Sequence, residues 1–329
     1  MLNFIIRRVF LGIFIVFFGA MIVYGVIRSL PSSYVETVAR QRAANPTSLR
    51  TYQEWLDELN QVYHLDVGVI PGYIGWVKNA IRGDFGVSWM FNVPVTEKFK
   101  EVIPYSIFLN IITFIVEIVI SIPLGILAAR KQYSGVDYAI TVFALAGLSL
   151  PTFFLATLLK YVFSVKLGWF PLYGLTSRFH NQMSRPDQIL DMAKNMTLPI
   201  VTLMMLSIGG LMRYTRTNML EVLNSDYIRT ARAKGLSEKV VINKHAFRNT
   251  LIPLVSYMST LLPAMFGGSM ITETMYQIPG IGYISFGAMQ QGDIPFAMFY
   301  TTFLILLTQV SLLIADIMYA VVDPRVRVN

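Results

Sequence analysis

The chain has 329 residues, of which 54% are hydrophobic and 14% are charged, and its mean hydropathy is +0.55. This composition excludes an ordinary soluble protein and predicts a polytopic, all-α membrane protein. The formal net charge is +8, but the basic residues cluster beside apolar segments, so membrane topology explains them better than nucleic-acid binding. The absence of cysteine excludes a disulfide framework, a thiolate metal site and a cysteine nucleophile.

The first predicted element is an apolar segment over residues 9–30. At about 22 residues it is long enough to cross a bilayer core of roughly 30 Å. A cleavable signal peptide would have a shorter apolar region and a small-residue cleavage site, and the best such site, around Ala39 and Ala43, is a poor one. We therefore predict that residues 1–30 form a cytoplasmic N-terminus and a retained first transmembrane helix.

A long polar segment, residues 31–102, follows the first span. Apolar residues recur at helical spacing over residues 52–65, and residues 73–81 have the pattern of a second short helix. We predict a folded external loop with two amphipathic helices on the outer face of the membrane. The loop ends in a motif that could by itself be a tight glycine turn, with residues Gly83, Asp84, Phe85, Gly86, Val87 and Ser88.

Residues 103–329 are predicted to form a membrane core of five further transmembrane helices. Their predicted spans are 104–130, 138–163, 196–213, 249–272 and 297–322. Eight basic residues lie between Arg213 and Arg248, whereas the loop 273–295 on the opposite face has none. Four basic residues in the loop 164–195 weaken this asymmetry without reversing it. The positive-inside rule then places the loop 213–248 and both termini in the cytoplasm.

The cytoplasmic loop contains a basic elbow, residues 226–245, which is predicted to consist of two short helices that meet at a bend. Ser225 or Asp226 can cap the first helix, Gly235 lies where a left-handed C-terminal residue is needed, and Ser237 with Glu238 can open the second. The residues with which this elbow would contact a soluble partner are Asp226, Arg229, Thr230, Ala231, Arg232, Ala233, Lys234, Gly235 and His245.

This elbow resembles the cytoplasmic coupling loop of permease subunits in binding-protein-dependent ABC importers, in the form found in dipeptide, oligopeptide and nickel systems. Arg229 and Thr230 stand where the broader importer consensus has Glu and Ala, and Pro253 lies several residues later than in that consensus. Both departures are usual in the peptide subfamily. The motif from Gly83 to Ser88 resembles a second signature of the same permeases. Further matching strings begin at Ile122, Ser149, Leu167, Glu273, Asp293 and Tyr319.

The resemblance implies a transport subunit rather than an enzyme, in the cytoplasmic (inner) membrane of a bacterium or archaeon. It would translocate short peptides, or a similar solute, by ATP-driven alternating access. The implied partners are a second homologous permease subunit, two cytoplasmic ATPase subunits and an external solute-binding protein, together with membrane lipid. ATP and Mg²⁺ would bind the ATPase subunits and not this chain.

The motifs that are missing from the sequence fit the same interpretation. The chain has no Gly-x-x-x-x-Gly-Lys-Ser/Thr loop for ATP and no His-Glu-x-x-His or Gly-x-Ser-x-Gly motif, and its histidines His64, His180 and His245 fall in different loops. We predict no catalytic residue and no metal site. The alternative function is a stand-alone, ion-driven secondary transporter, although we see no repeat between the two halves and few ionisable residues in the spans.

The second predicted span carries a polar stripe, Asn110, Thr113, Glu117 and Ser121, whose members fall on one face of a helix. Glu117 lies about 20 Å of helix from the cytoplasmic end of the span, near the bilayer midplane, where a charge is costly. We expect this stripe to line the solute path or the contact with the partner permease. The alternative is a neutral Glu117 hydrogen-bonded within the bundle, since burial disfavours the charged form. Lys160 is expected near the outer surface, where its ammonium group can reach water.

Overall fold

The computed structural model describes residues 2–29, 34–44, 50–62, 66–259, 261, 263, 267 and 269–322. Within these residues every named element is a helix, and the one β interaction is an isolated bridge between Val87 and Pro94. Several of the helices are long and apolar enough to cross a membrane. The prediction of an all-α polytopic membrane protein is therefore confirmed.

The helices follow one another in a simple order along the chain. They are α1 (Leu2–Ser29), α2 (Tyr34–Ala43), α3 (Tyr52–Val62), α4 (Val69–Ile81), α5 (Val95–Arg130), α6 (Gly135–Ser149), α7 (Thr152–Leu159), α8 (Arg185–Leu223), α9 (Asp226–Ala233), α10 (Glu238–Val240), α11 (Phe247–Ser259), α12 (Met270–Tyr276), α13 (Ile281–Gln290) and α14 (Ile294–Val322). The π-helical turn Lys160–Lys166 extends α7, and a second one, Val241–Ala246, precedes α11. A short 3₁₀ turn covers His180–Gln182.

Four described helices meet the length and hydropathy of a complete membrane span, namely Ile5–Ser29, Val95–Arg130, Arg185–Leu223 and Ile294–Met318. The bent pair α6 and α7 raises the number to five if it counts as one span. The predicted span 249–272 begins within α11, but residues 260, 262, 264–266 and 268 lie outside the described part of the chain. The count of six transmembrane helices therefore stays a prediction.

The predicted continuous helix over residues 138–163 is wrong, because the chain bends by 104° between α6 and α7. Pro151 lies at the bend, and Leu150 before it is extended, with φ −86° and ψ 133°. Proline lacks a backbone N–H and disfavours a helical conformation in the residue that precedes it. The bend is therefore a direct consequence of the Leu150-Pro151 step.

The short helices of the external segment also differ from the prediction. Helix α3 begins at Tyr52 as expected, and residues 63–65 of its predicted range lie outside the described part of the chain. Helix α4 begins at Val69, four residues before the predicted start, with Pro71 in its first turn, where a proline costs no hydrogen bond. The sequence interpretation missed α2 and α13 altogether.

The contacts divide the chain into two compact units. Unit 1 contains Tyr105–Gly282 and the end of α14 from Ser311, and unit 2 contains Leu2–Pro104 and Tyr283–Val310. In unit 2, the hydroxyl of Tyr73 on α4 donates to the carbonyl oxygen of Phe17 on α1 at 2.5 Å. The ring of Phe85 packs edge-on against Phe299 of α14 at a centroid distance of 4.7 Å. These contacts hold α4 and the turn that follows it to α1 and α14.

Unit 1 depends on an unusually close approach of α6 and α8. A Cβ atom at Gly209 would lie 2.6 Å from the carbonyl oxygen of Ala144, and one at Gly147 would overlap the carbonyl oxygen of Met205. Small residues at such contacts let two membrane helices approach backbone to backbone, which increases their van der Waals contact. The glycines therefore determine the separation of α6 and α8.

This packing predicts that Gly147→Ala destabilises unit 1, because the added methyl group would overlap the carbonyl of Met205. Overpacking of this kind costs roughly 1–3 kcal/mol. A lower thermal unfolding midpoint of the purified variant in detergent would show it. Gly135→Ala is the matched control, since no atom lies within 4 Å of the corresponding Cβ position. Equal midpoints for the two variants would contradict the close packing described here.

Candidate functional site

The elbow folds as two helical pieces joined at a glycine, as the sequence predicts. Helix α9 ends at Ala233, and Gly235 has φ +77°, a left-handed conformation that side chains with a Cβ rarely adopt. Ser225 occupies the N-cap position of α9, but its hydroxyl donates to the carbonyl of Val222 instead of accepting a bond from the helix. Helix α10 begins at Glu238, directly after Ser237.

An apolar cluster joins the elbow to the membrane helices of unit 1. Ile228 and Ala231, one turn apart on α9, are buried against Met219 of α8 and Ala129 of α5. The cluster also includes Val241, Ile242 and Ala246. Burying a side chain such as Ile228 stabilises the fold by roughly 1.5–3 kcal/mol. A force on α9 would therefore be transmitted to α5, α8 and the start of α11.

The other face of α9 is polar and exposed. Asp226, Arg229, Thr230, Arg232 and Lys234 all lie in this exposed set. Only the apolar face of α9 is anchored. Most of the predicted coupling residues therefore remain accessible to another protein. The exception is Ala231, which belongs to the anchoring cluster.

A bidentate ion pair spans the bend between α9 and α10. The guanidinium of Arg232 donates to both carboxylate oxygens of Glu238, at 3.2 Å from Nε and 2.9 Å from Nη2. The hydrogen bond from Arg232 holds the pKa of the Glu238 carboxyl below its usual value. Both side chains are about half exposed, so this pair contributes little free energy to the bend.

The elbow is connected to α11 through the π-helical turn Val241–Ala246. His245 lies in this turn, and its carbonyl oxygen accepts a hydrogen bond from the side-chain amide of Asn249 at 2.9 Å. The same amide lies 3.2 Å from the hydroxyl of Tyr227 on α9. Asn249 therefore links the two arms of the elbow, a role that the sequence interpretation missed.

The external motif is a compact turn in unit 2. Gly83 and Gly86 have φ +82° and +81°, and the Asp84 carboxylate accepts a hydrogen bond from the backbone N–H of Gly86 at 2.9 Å. Asp84 is exposed, whereas Phe85 packs against Trp76 and Phe299. The motif thus presents one acidic side chain on a fixed turn.

Ser88 connects the external motif to Asp293, and both residues are fully buried. The Ser88 hydroxyl hydrogen-bonds the Asp293 carboxylate, which also accepts from the backbone N–H of Met90 at 3.1 Å. The other oxygen of Asp293 accepts from Phe296 N–H at 3.2 Å and so caps the N-terminus of α14. The sequence interpretation noted Asp293 within a matching string but assigned it no role. An aspartate directly before an apolar helix was the available signal.

The polar stripe of α5 lies inside unit 1. Asn110, Thr113, Glu117 and Ser121 are each less than 9% exposed. The Ser121 hydroxyl donates to the carbonyl of Ile208 on α8 at 3.3 Å, and Ser207 of the same helix lies beside Glu117. The stripe thus faces α8 in this conformation, and its assignment to a solute path stays a prediction.

The stripe continues by one further turn to a buried glutamate that the sequence interpretation did not single out. Ser106 donates to the Glu273 carboxylate at 2.7 Å and accepts from the backbone N–H of Ile281 at 2.8 Å. Glu273 also accepts from Ser269 N–H at 3.0 Å, and the Ser269 hydroxyl donates to Asn110 at 2.7 Å. We call Ser106, Asn110, Ser269 and Glu273 the glutamate network.

Lys160 is not oriented as expected. Its ammonium group donates to the carbonyl oxygen of Met275 at 2.6 Å and lies 5.5 Å from the ring centroid of Tyr276. A cation at this position satisfies a carbonyl in the last turn of α12. The chain itself therefore supplies a partner for Lys160.

Residues 121–328 match the family model for the binding-protein-dependent transport system inner membrane component. This segment contains the elbow, Ser121 and Glu273. Within the described residues, no cluster of three or more His, Asp or Glu side chains could hold a metal ion.

Curated relatives extend the similarity to nearly the whole chain. The oligopeptide transport system permease protein AppB of Bacillus subtilis is 40% identical over 255 residues, which cover 77% of this chain and 79% of that protein. The oligopeptide transport system permease protein OppB of Salmonella typhimurium is 33% identical, with 99% and 100% covered. The dipeptide transport system permease protein DppB of Alkalihalophilus pseudofirmus is 32% identical over the same shares.

The burial of the external motif predicts how single cysteines will react with a membrane-impermeant maleimide in intact cells. Val87→Cys should react quickly, because Val87 is 53% exposed and the motif is expected outside the cell. Ser88→Cys should react slowly, because Ser88 is buried against Asp293. The parent chain has no cysteine and gives no background. Labelling of Val87→Cys only after permeabilisation would reverse the predicted topology.

Proposed function

Because the chain belongs to the family of binding-protein-dependent transport system inner membrane components, we propose that it is the permease subunit of an ABC importer for short peptides. The observation that carries this proposal is the family match over residues 121–328, which includes the whole elbow. The names of the relatives, oligopeptide and dipeptide transport permeases, favour peptides as the cargo.

The proposed assembly contains four kinds of component. A second homologous permease subunit pairs with this chain, two cytoplasmic ATPase subunits bind and hydrolyse ATP with Mg²⁺, and an external binding protein delivers the solute. The assembly lies in the cytoplasmic membrane of a bacterium or archaeon, with both termini of this chain in the cytoplasm. The exposed basic face of α9 supports an ATPase contact, because its anchored face leaves Arg229, Arg232 and Lys234 accessible.

The elbow's packing supports a mechanical role in transport. Closure of the ATPase dimer on ATP binding would displace α9, and the cluster around Ile228 connects α9 to α5, α8 and α11. A rigid-body displacement of these helices is the usual way in which a transporter exchanges access between the two sides of a membrane. The left-handed backbone at Gly235 keeps the angle of the elbow during that displacement.

The polar stripe of α5 is the proposed lining of the solute path. Its contacts with α8, at Ser121 and Glu117, close the stripe in the present conformation. A path along the stripe would therefore require α5 and α8 to separate. The contact at Ser121 is a single side-chain hydrogen bond, worth about 1 kcal/mol net, so ATP-driven movement can break it.

Purification of the tagged full-length chain from its native membrane tests the assembly. We expect it to retain an ATPase with a Walker A sequence, and we expect vesicles that contain the complex to take up short peptides only with ATP and the binding protein. Dissipating the ion gradients should leave this uptake unchanged. Uptake by the chain alone that stops when the gradients are dissipated would instead identify an ion-driven secondary transporter.

Gly235→Val should uncouple ATP hydrolysis from transport. A β-branched residue at φ +77° is strained by roughly 1 kcal/mol or more, so α9 and α10 would no longer meet at the same angle. Gly235→Asn is the matched control, since asparagine tolerates this conformation. The ratio of peptide transported to ATP hydrolysed should fall for the valine variant and remain nearly normal for asparagine. Normal coupling in Gly235→Val would exclude the elbow as the coupling point.

Glu117→Gln tests the proposed path, because it keeps the shape and hydrogen bonding of the side chain but removes the ionisable group. We expect peptide uptake at neutral pH to fall about tenfold, the effect of replacing one hydrogen bond to a charged group with a neutral one. Glu221→Gln, an exposed carboxylate on α8, controls for the change in net charge. Unchanged uptake in Glu117→Gln would favour the alternative of a neutral glutamate that only stabilises the bundle.

A further inference from the structure

A cavity of about 390 Å³ lies between α6 and α8 in unit 1, beyond the elbow and the polar stripe. The two helices are in backbone contact near Gly147 and Gly209. Towards the N-terminus of α6 and the C-terminus of α8, the larger side chains Tyr138 and Arg213 line the space between them. The cavity is therefore located at the polar end of this helix pair.

The side chains that line this cavity carry more positive than negative charge. The Asp137 carboxylate accepts hydrogen bonds from Nε and Nη2 of Arg216, each at 2.7 Å, and from the backbone N–H of Tyr133 at 3.0 Å. Both oxygens of the single acidic group in the cavity are thus engaged. Arg216 has five N–H donors and uses two of them on Asp137. Arg216 therefore keeps N–H donors that are not used in its ion pair with Asp137.

Arg213 adds a second guanidinium, three residues before Arg216 and so on the same face of α8. It is exposed, and among the residues that the structure describes it has no hydrogen-bond or ion-pair partner. The cavity thus carries an excess positive charge with N–H donors suited to bidentate recognition of an oxyanion. Arginine with a phosphate group is the common pairing of this kind.

The remaining lining consists of two tyrosines, two threonines and Leu145. Tyr138 and Leu145 on α6 are 60% and 42% exposed, and both line the cavity. The apolar surface continues along the same helix through Val142 and Phe143, which are 64% and 50% exposed. Tyrosines beside an apolar, lipid-facing helix surface are typical of the headgroup level of a membrane.

We propose that this cavity binds the phosphate of an anionic phospholipid. Arg213 and the free donors of Arg216 hold the phosphate, Tyr138 lies beside the headgroup, and the acyl chains follow Val142 and Leu145. A soluble phosphate would find the same arginines but would leave Leu145 and Tyr138 in contact with water. The continuous apolar surface therefore favours lipid as the source of the phosphate. The site is independent of the cargo and of the elbow.

Native mass spectrometry of the full-length chain tests the proposal, with phosphatidylglycerol and phosphatidylcholine of identical acyl chains as the added lipids. The parent chain should retain phosphatidylglycerol in preference. Arg213→Gln should lower that retention about fivefold, which corresponds to the loss of one basic residue at a charged membrane surface. Arg185→Gln is the matched control, because it removes an exposed arginine from the opposite end of the same helix.

Three results would overturn the proposal. One is unchanged phosphatidylglycerol retention in Arg213→Gln, and a second is an equal loss in Arg185→Gln. The third is displacement of phosphatidylglycerol by inorganic phosphate, which would assign the arginines to a soluble anion. Arg213 is exposed and unpaired within the described chain, so the variant should melt at the parental temperature, and equal melting temperatures exclude misfolding as the cause of any loss.

Discussion

The interior of a bilayer supplies no water to an unpaired polar group, and every irregular turn within it must find its hydrogen-bond partners in the chain itself. The glutamate network meets this requirement at the turn between α12 and α13. Glu273 is fully buried and accepts from Ser106 and from the backbone of Ser269, while Ser106 accepts from the backbone of Ile281. Helix α5 thereby supplies the hydrogen-bond partners that the turn lacks. The polar stripe continues along α5 from this network and contacts α8.

The same constraint explains why so many specialised residues are found at helix ends. Asp293 caps α14 and holds Ser88, Lys160 satisfies a carbonyl at the end of α12, and Asp137 accepts from the loop before α6. Each of these side chains serves a helix end and a second segment at once. Such double use lets a chain with only 14% charged residues hold its loops in defined conformations. The elbow differs, because its contacts are largely apolar and its polar face remains available to a partner.

The sequence predicted those features that depend on local chemistry. The four complete spans follow from apolar length, and the left-handed bend at Gly235 follows from the glycine at that position. Prolines were less informative, because Pro199 and Pro253 lie inside helices whereas Pro151 follows the end of one. The choice between these outcomes depends on which neighbouring groups can satisfy the freed carbonyl, and a single sequence does not contain that information. The pairing of Ser106 with Glu273, 167 residues apart, was beyond prediction for the same reason.

The π-helical turn Val241–Ala246 determines how the elbow is oriented relative to α11. A π turn accommodates one more residue than an α turn, and such turns are often found at functional sites. Each residue of an α-helix rotates the chain by about 100°. The extra residue therefore changes the direction in which the elbow leaves the helix, while α11 presents the same face to α8. Insertion or loss of one residue here would turn α9 relative to α11, and Ile228 and Ala231 would leave their contacts with α5 and α8. The length of the turn is thus matched to the packing of the elbow against the membrane helices.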